Sequence, residues 1–87
     1  MKNTFYITGK QGTGKTNLTN ALKDSVEISL SERQEGESLL SVCLRFFHKQ
    51  NIVFTSQEHS NAAASIIKNF ALEEGRYFYE INLNKIS

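Results

Sequence analysis

Thr4-Phe5-Tyr6-Ile7-Thr8-Gly9-Lys10-Gln11-Gly12-Thr13-Gly14-Lys15-Thr16 joins a strand-forming run to a glycine-rich loop. Thr4 to Thr8 are β-branched or aromatic throughout and read as a strand. Gly9 to Thr16 satisfy the pattern G-x-x-x-x-G-K-[ST] at every position. Beyond them, Leu18, Ala21 and Leu22 recur at helical spacing. A strand running through a glycine-rich loop into a helix brings successive main-chain N–H groups together as a concave anion site. The partial positive charge of the helix N-terminus lies behind that site. In such a loop Lys15 reaches the outer phosphates of a bound polyphosphate, and the Thr16 hydroxyl ligates Mg²⁺. The plainer reading of the same residues is a glycine-rich strand-to-helix turn with no ligand.

Working outward from the loop, the chain alternates strand and helix signals. Val26-Glu27-Ile28-Ser29-Leu30 alternates apolar and polar residues, as a half-exposed strand does. Residues 34–50 read as a helix, with Leu39, Leu40, Cys43, Leu44, Phe46 and Phe47 covering so much of the circumference that heavy burial is expected. Asn51-Ile52-Val53-Phe54-Thr55 is a short apolar run of the interior-strand kind. Ser60 can cap a second helix whose Ala63, Ile66, Ile67 and Phe70 share a face, and Gly75 ends that region. In the last segment Tyr77, Tyr79, Ile81 and Leu83 alternate with Phe78, Glu80 and Asn82, which suggests an edge strand, with antiparallel pairing as one option. The order β-α-β-α-β-α-β with right-handed crossovers predicts a three-layer α/β fold. Its sheet is small, mainly parallel and of about four strands, flanked by helices, with one ligand edge at the strand C-termini.

Size and composition bound this reading. The 87 residues suffice for one small domain, 1–87, and not for two. Hydrophobic residues at 39% and charged residues at 22% suit a globular chain rather than a disordered one. No apolar run approaches the length of a membrane span, and no hydrophobic leader follows the N-terminus, so a cytoplasmic protein without membrane contact is expected. A net charge of +1 gives no global case for nucleic-acid binding, although a local basic face is compatible with it. Cys43 is the lone cysteine and reads as a small core residue.

The chain resembles the P-loop nucleoside triphosphatases. Gly12-Thr13-Gly14-Lys15-Thr16, followed by Leu18 and Ala21-Leu22, is similar to the AAA+ and helicase branch, here in a minimal form. Ile52-Val53-Phe54-Thr55-Ser56-Gln57 resembles the sensor strand of those proteins, and Gly75-Arg76-Tyr77-Phe78 resembles the Arg-Phe segment of small viral helicases. The resemblance implies ATP and Mg²⁺ as ligands. Gly9, Lys10, Gln11, Gly12, Thr13, Gly14, Lys15, Thr16 and Asn17 form the nucleotide-binding set, with Thr16 at the metal. One departure stands out: family members carry a strand ending in Asp or Asp-Glu that serves Mg²⁺ and the attacking water, and no apolar strand here ends that way.

The candidate catalytic residues are Lys15, Glu58 and Arg76. Glu58 follows an apolar strand on the expected ligand edge, where a carboxylate can orient water or serve the metal; a helix-start acid favoured by the dipole is its plainer reading. Glu27 and Glu32 read first as solvated charges, and Asp24 as a turn residue. Thr55, Ser56 and Gln57 sit where a γ-phosphate can be sensed. Arg33, Arg45 and Arg76 are candidate fingers toward a neighbour's nucleotide, Arg76 foremost. His48 and His59 lack paired metal-ligand spacing. The aromatic alternation at Tyr77, Phe78 and Tyr79 suits base stacking or plain core packing equally.

Three functions remain open on these residues. The first is a domain that binds a nucleoside triphosphate, ATP before GTP, with slow Mg²⁺-dependent hydrolysis coupled to a homo-oligomer or a larger protein partner. The second is a non-catalytic interaction or inhibitor protein that keeps the loop as structure or switch. The third is a small-molecule kinase, disfavoured because no segment is long enough for a lid.

Overall fold

The structure is a computed structural model that describes residues 1–10, 19–32 and 38–83. The expectations placed on Gln11, Gly12, Thr13, Gly14, Lys15, Thr16, Asn17, Leu18 and Arg33 fall outside the described residues.

The four strands of the described residues are β1 (Asn3–Thr8), β2 (Ser25–Ser29), β3 (Asn51–Ser56) and β4 (Tyr77–Asn82). They form one sheet in the order β2-β3-β1-β4, and every pairing in it is parallel. Two helices of the described chain are α1 (Leu39–Arg45) and α2 (Asn61–Glu73), and residues 19–21 are also helical. This is the small parallel α/β sheet flanked by helices that the alternation of signals predicts.

Each central strand is central for a physical reason. On β3, Ile52, Val53 and Phe54 are all fully buried, so both faces are covered, as the unbroken apolar run requires. On β1, Tyr6 and Ile7 are buried on opposite faces. The register aligns Val26, Ile52, Thr4 and Phe78 in one row across the sheet and Ile28, Phe54, Tyr6 and Glu80 in the next. Tyr6, Ile28, Ile52 and Phe54 pack there with Leu39, Val42 and Cys43 of α1 and with Ile67 and Phe70 of α2.

The helices are narrower than expected. Ser38 caps α1, its Oγ accepting from the Ser41 N–H at 3.1 Å, and the helix gives way after Arg45 to a turn over residues 46–48. Leu39, Val42 and Cys43 are buried, but Leu40, Leu44 and Phe47 are each about half exposed. The apolar circumference therefore does not translate into burial all round, because a single sheet face covers one side of a helix. On α2, Ile67, Phe70 and Ala71 form the buried stripe, while Ile66 turns outward. Ser60 caps this helix as expected, accepting from the Ala63 N–H at 3.2 Å.

The last strand lies at an edge, as its alternation suggests, but it is parallel rather than antiparallel. The cause is the α2 crossover, which returns the chain to the N-terminal end of the sheet before β4 begins. Gly75, at φ +68°, makes the αL turn out of α2. Asp24 makes the reverse turn into β2 at φ 45°. Its carboxylate accepts from the Gln50 N–H at 3.0 Å and from Lys49 Nζ at 3.3 Å. Those hydrogen bonds, with the Lys49 charge, hold the Asp24 carboxyl below its ordinary range.

Candidate functional site

The C-terminal ends of four parallel strands converge on one edge of the molecule. Thr8 leads directly to Gly9 there, and the Gly9 N–H donates to the Ser56 carbonyl at 3.1 Å, tying the start of the glycine loop to the end of β3. Leu30 and Ser31 leave β2 on the same edge, and Glu58 lies just past β3. An open cleft of about 540 Å³ lies here, with Leu30, Ser31, Ser56, Gln57 and Glu58 in its lining beside Tyr6.

A directional chain of hydrogen bonds fixes this edge. The Ser60 N–H donates to Tyr6 Oη at 3.1 Å, and the Tyr6 hydroxyl lies 3.1 Å from Ser56 Oγ. Ser56 Oγ in turn donates to the Glu58 carbonyl at 2.8 Å, which leaves Tyr6 as the donor to Ser56. The start of α2 is thereby anchored to the middle strand. His59 adds a second tie by pairing with Glu80 of β4, with its ring tilted against Tyr6 at 5.5 Å.

Thr8 carries a different signal. It is 1% exposed, and among the described residues its Oγ1, like that of Thr19, has no hydrogen-bond partner. A buried hydroxyl without a partner costs about 1–3 kcal/mol, and this one immediately precedes the glycine loop. Such an orphaned donor fits an anionic ligand or a ligand-held water.

Of the expected site residues within the described chain, Gly9, Lys10, Ser56, Gln57 and Glu58 come together on this edge. Glu58 is exposed and is among the residues lining the cleft. Thr55 is 5% exposed and one residue out of phase with Ser56, so it belongs to the opposite sheet face. Glu27 is exposed on the edge strand β2, as a solvated charge should be. Among the described residues, no group of three or more His, Cys, Asp or Glu side chains is arranged to hold a metal.

Arg76 is a correction. Expected as a finger on a neighbouring nucleotide, it is an internal clamp at the opposite, N-terminal edge of the sheet. It is 4% exposed. Its Nε donates to Thr4 Oγ1 at 2.7 Å, and its terminal nitrogens donate to the carbonyls of Phe47, Lys49, Asn3 and Gln50 at 2.8–3.2 Å. With its donors spent on four main-chain carbonyls and the Thr4 hydroxyl, the buried guanidinium is not presented to a neighbour's nucleotide. Burial lowers its pKa from the ordinary arginine value. Arg45 is exposed at the end of α1, its guanidinium 5.9 Å from the Phe46 ring centroid.

The Tyr6–Ser56–Glu58 chain and the orphaned Thr8 hydroxyl escape a reading by motif. The one available signal is the polar residue at alternate positions of β1, Thr4, Tyr6 and Thr8, in phase on the face where Tyr6 meets α1 and α2 and out of phase with the apolar Phe5 and Ile7.

No family model matches the chain, and no curated protein matches it. Among solved structures it is similar to one described as "Crystal structure of APE1195", at a TM-score of 0.61 and 18% identity over 94% of this chain. The chain spans 60% of the length of that protein. At this identity the likeness shows a shared fold and no more.

Proposed function

We propose that the protein binds a nucleoside triphosphate, ATP in the first instance, with Mg²⁺, through the loop from Gly9 to Thr16. The observation that carries the reading is the position of this motif at the exit of a central strand in an all-parallel sheet. Ligands of open α/β sheets gather at that edge. The orphaned Thr8 hydroxyl beside the loop supports it. Lys15 would bind the outer phosphates and Thr16 would hold the metal, which supplies charge neutralisation across the phosphate oxygens.

Turnover is proposed to be slow. Strands β2 and β3 end in Ser29 and Ser56, so neither presents an aspartate at its C-terminus. Glu58 is the acidic residue of the described chain in the cleft lining. Binding coupled to a partner, rather than rapid hydrolysis, is what this set of residues favours.

Thermal unfolding with different ligands tests the proposal. A ligand at a hundredfold its Kd stabilises the folded state by about 2.7 kcal/mol, which raises Tm by several degrees in a domain of this size. Mg·ATP and inorganic tripolyphosphate with Mg²⁺ are both expected to raise Tm, and adenosine is not. A shift of equal size in Lys15→Ala would show that the loop is not the binding site.

A further inference from the structure

We propose that β4 is a dimerisation edge, at which two copies of this chain pair antiparallel about a two-fold axis to make one continuous eight-stranded sheet. The Tyr77 N–H donates to the Lys2 carbonyl at 3.0 Å, which sets the phase of the β1–β4 ladder. In a parallel ladder of that phase, Tyr77, Tyr79 and Ile81 turn their main-chain groups toward β1, while Phe78 and Glu80 turn theirs outward. Among the described residues nothing pairs with those outward groups.

Natural edge strands are guarded by proline, lysine, bulges or brevity. Strand β4 has none of these: it runs six residues, Tyr77-Phe78-Tyr79-Glu80-Ile81-Asn82, and its one charge, Glu80, is paired internally with His59. The other edge is different. The ladder phase set by the Asn51 N–H donating to Asp24 turns Glu27 outward at the middle of the five-residue β2, where a two-fold would set it against its own copy.

The self-pairing of β4 has a preferred register. With Tyr79 on the axis, Phe78 and Glu80 of one copy exchange hydrogen bonds with Glu80 and Phe78 of the other. Tyr79 then meets Tyr79 as a non-hydrogen-bonded pair, and Tyr77 meets Ile81 on either side of it. Every pair on that sheet face is apolar. Tyr77 and Tyr79, 52% and 44% exposed in the single chain, become covered. Tyr79 already stacks on Phe5, with ring centroids 5.2 Å apart, so the axis would join two such stacks into a row of four rings. Moving the axis to Glu80 would oppose two carboxylates. The occupant that fits this edge is therefore a second copy of the chain.

Cysteine placement tests both the contact and its register in the full chain. Non-hydrogen-bonded antiparallel pairs bring Cα atoms to about 4.5 Å, within disulfide range. Tyr79→Cys is expected to cross-link under mild oxidation at least about tenfold faster than Ile81→Cys, whose counterpart across the axis is Tyr77. The native Cys43 is fully buried and stays out of the reaction. Light scattering on the unmodified chain should give twice the mass of a single copy. Glu80→Pro, which removes an outward N–H and none of the β1 ladder, should give a folded monomer by circular dichroism. A monomeric wild type, a dimer persisting in folded Glu80→Pro, or equal cross-linking of the two cysteine variants would each overturn the proposal. Should Glu80→Pro not fold, the cysteine pair alone decides.

Discussion

Arg76 shows how one side chain can be read correctly as important and wrongly as to its task. Its guanidinium gathers the loops at the N-terminal edge of the sheet by donating to four carbonyls and one hydroxyl. Arg76→Met removes those donors and strands buried acceptors, so it is expected to cost about 3 kcal/mol in urea unfolding. Arg76→Lys should recover only part of that loss, since a point charge cannot reproduce the planar fork. Sequence alone marks the arginine but not its burial, because the acceptors come from Asn3, Phe47, Lys49 and Gln50, scattered along the chain.

Cys43 was legible at the same scale. It is the core residue expected, and burial pushes its thiol up to about 11. Above about pH 9 an unfolded thiol has released a proton that the folded protein still holds, so this group's contribution is intact below about pH 9 and declines toward about pH 11. Urea midpoints at about pH 8 and about pH 10.5 should therefore fall more steeply for the wild type than for Cys43→Ala. Equal slopes would show that the thiol is not shielded.

At the scale of elements, the strands were legible and the helix limits were not. The strands follow from runs of β-branched and aromatic residues whose burial the register then enforces, as at Ile52, Val53 and Phe54. The extent of α1 is set by the Ser38 cap and by the turn after Arg45, and Phe46 and Phe47 carry the apolar pattern past the end of the helix. The direction of β4 depends on how α2 crosses the sheet, which alternation within six residues cannot encode. The capping of α2 is local and was visible at Ser60. Ser60→Ala is expected to cost about 1 kcal/mol, measured by chemical denaturation, with the Ser60 N–H bond to Tyr6 retained because it uses the main chain. A loss beyond about 2 kcal/mol would mean that the hydroxyl does more than cap.

For the molecule as a whole, the two ends of the parallel strands are built differently. The strand C-termini carry the start of the glycine loop, the orphaned Thr8 hydroxyl and the cleft beside Glu58. At the N-terminal edge Arg76 is buried and ties Thr4 to the loops around it. The sequence motif alone pointed to the first edge. The hydrogen-bond chain through Tyr6 and Ser56, which holds the cleft in shape, became visible only once β1 and β3 were set side by side.

The proposal that the Gly9–Thr16 loop binds a triphosphate chain is open to calorimetry. Isothermal titration of Mg·ATP into the wild type and into Lys15→Ala addresses it most directly, with circular dichroism establishing that both are folded. Saturable heat of about one equivalent is expected for the wild type, with affinity at least about tenfold weaker in the variant, as loss of a charge-assisted phosphate contact requires. Flat isotherms for the folded wild type, or indistinguishable binding by the two proteins, would contradict it.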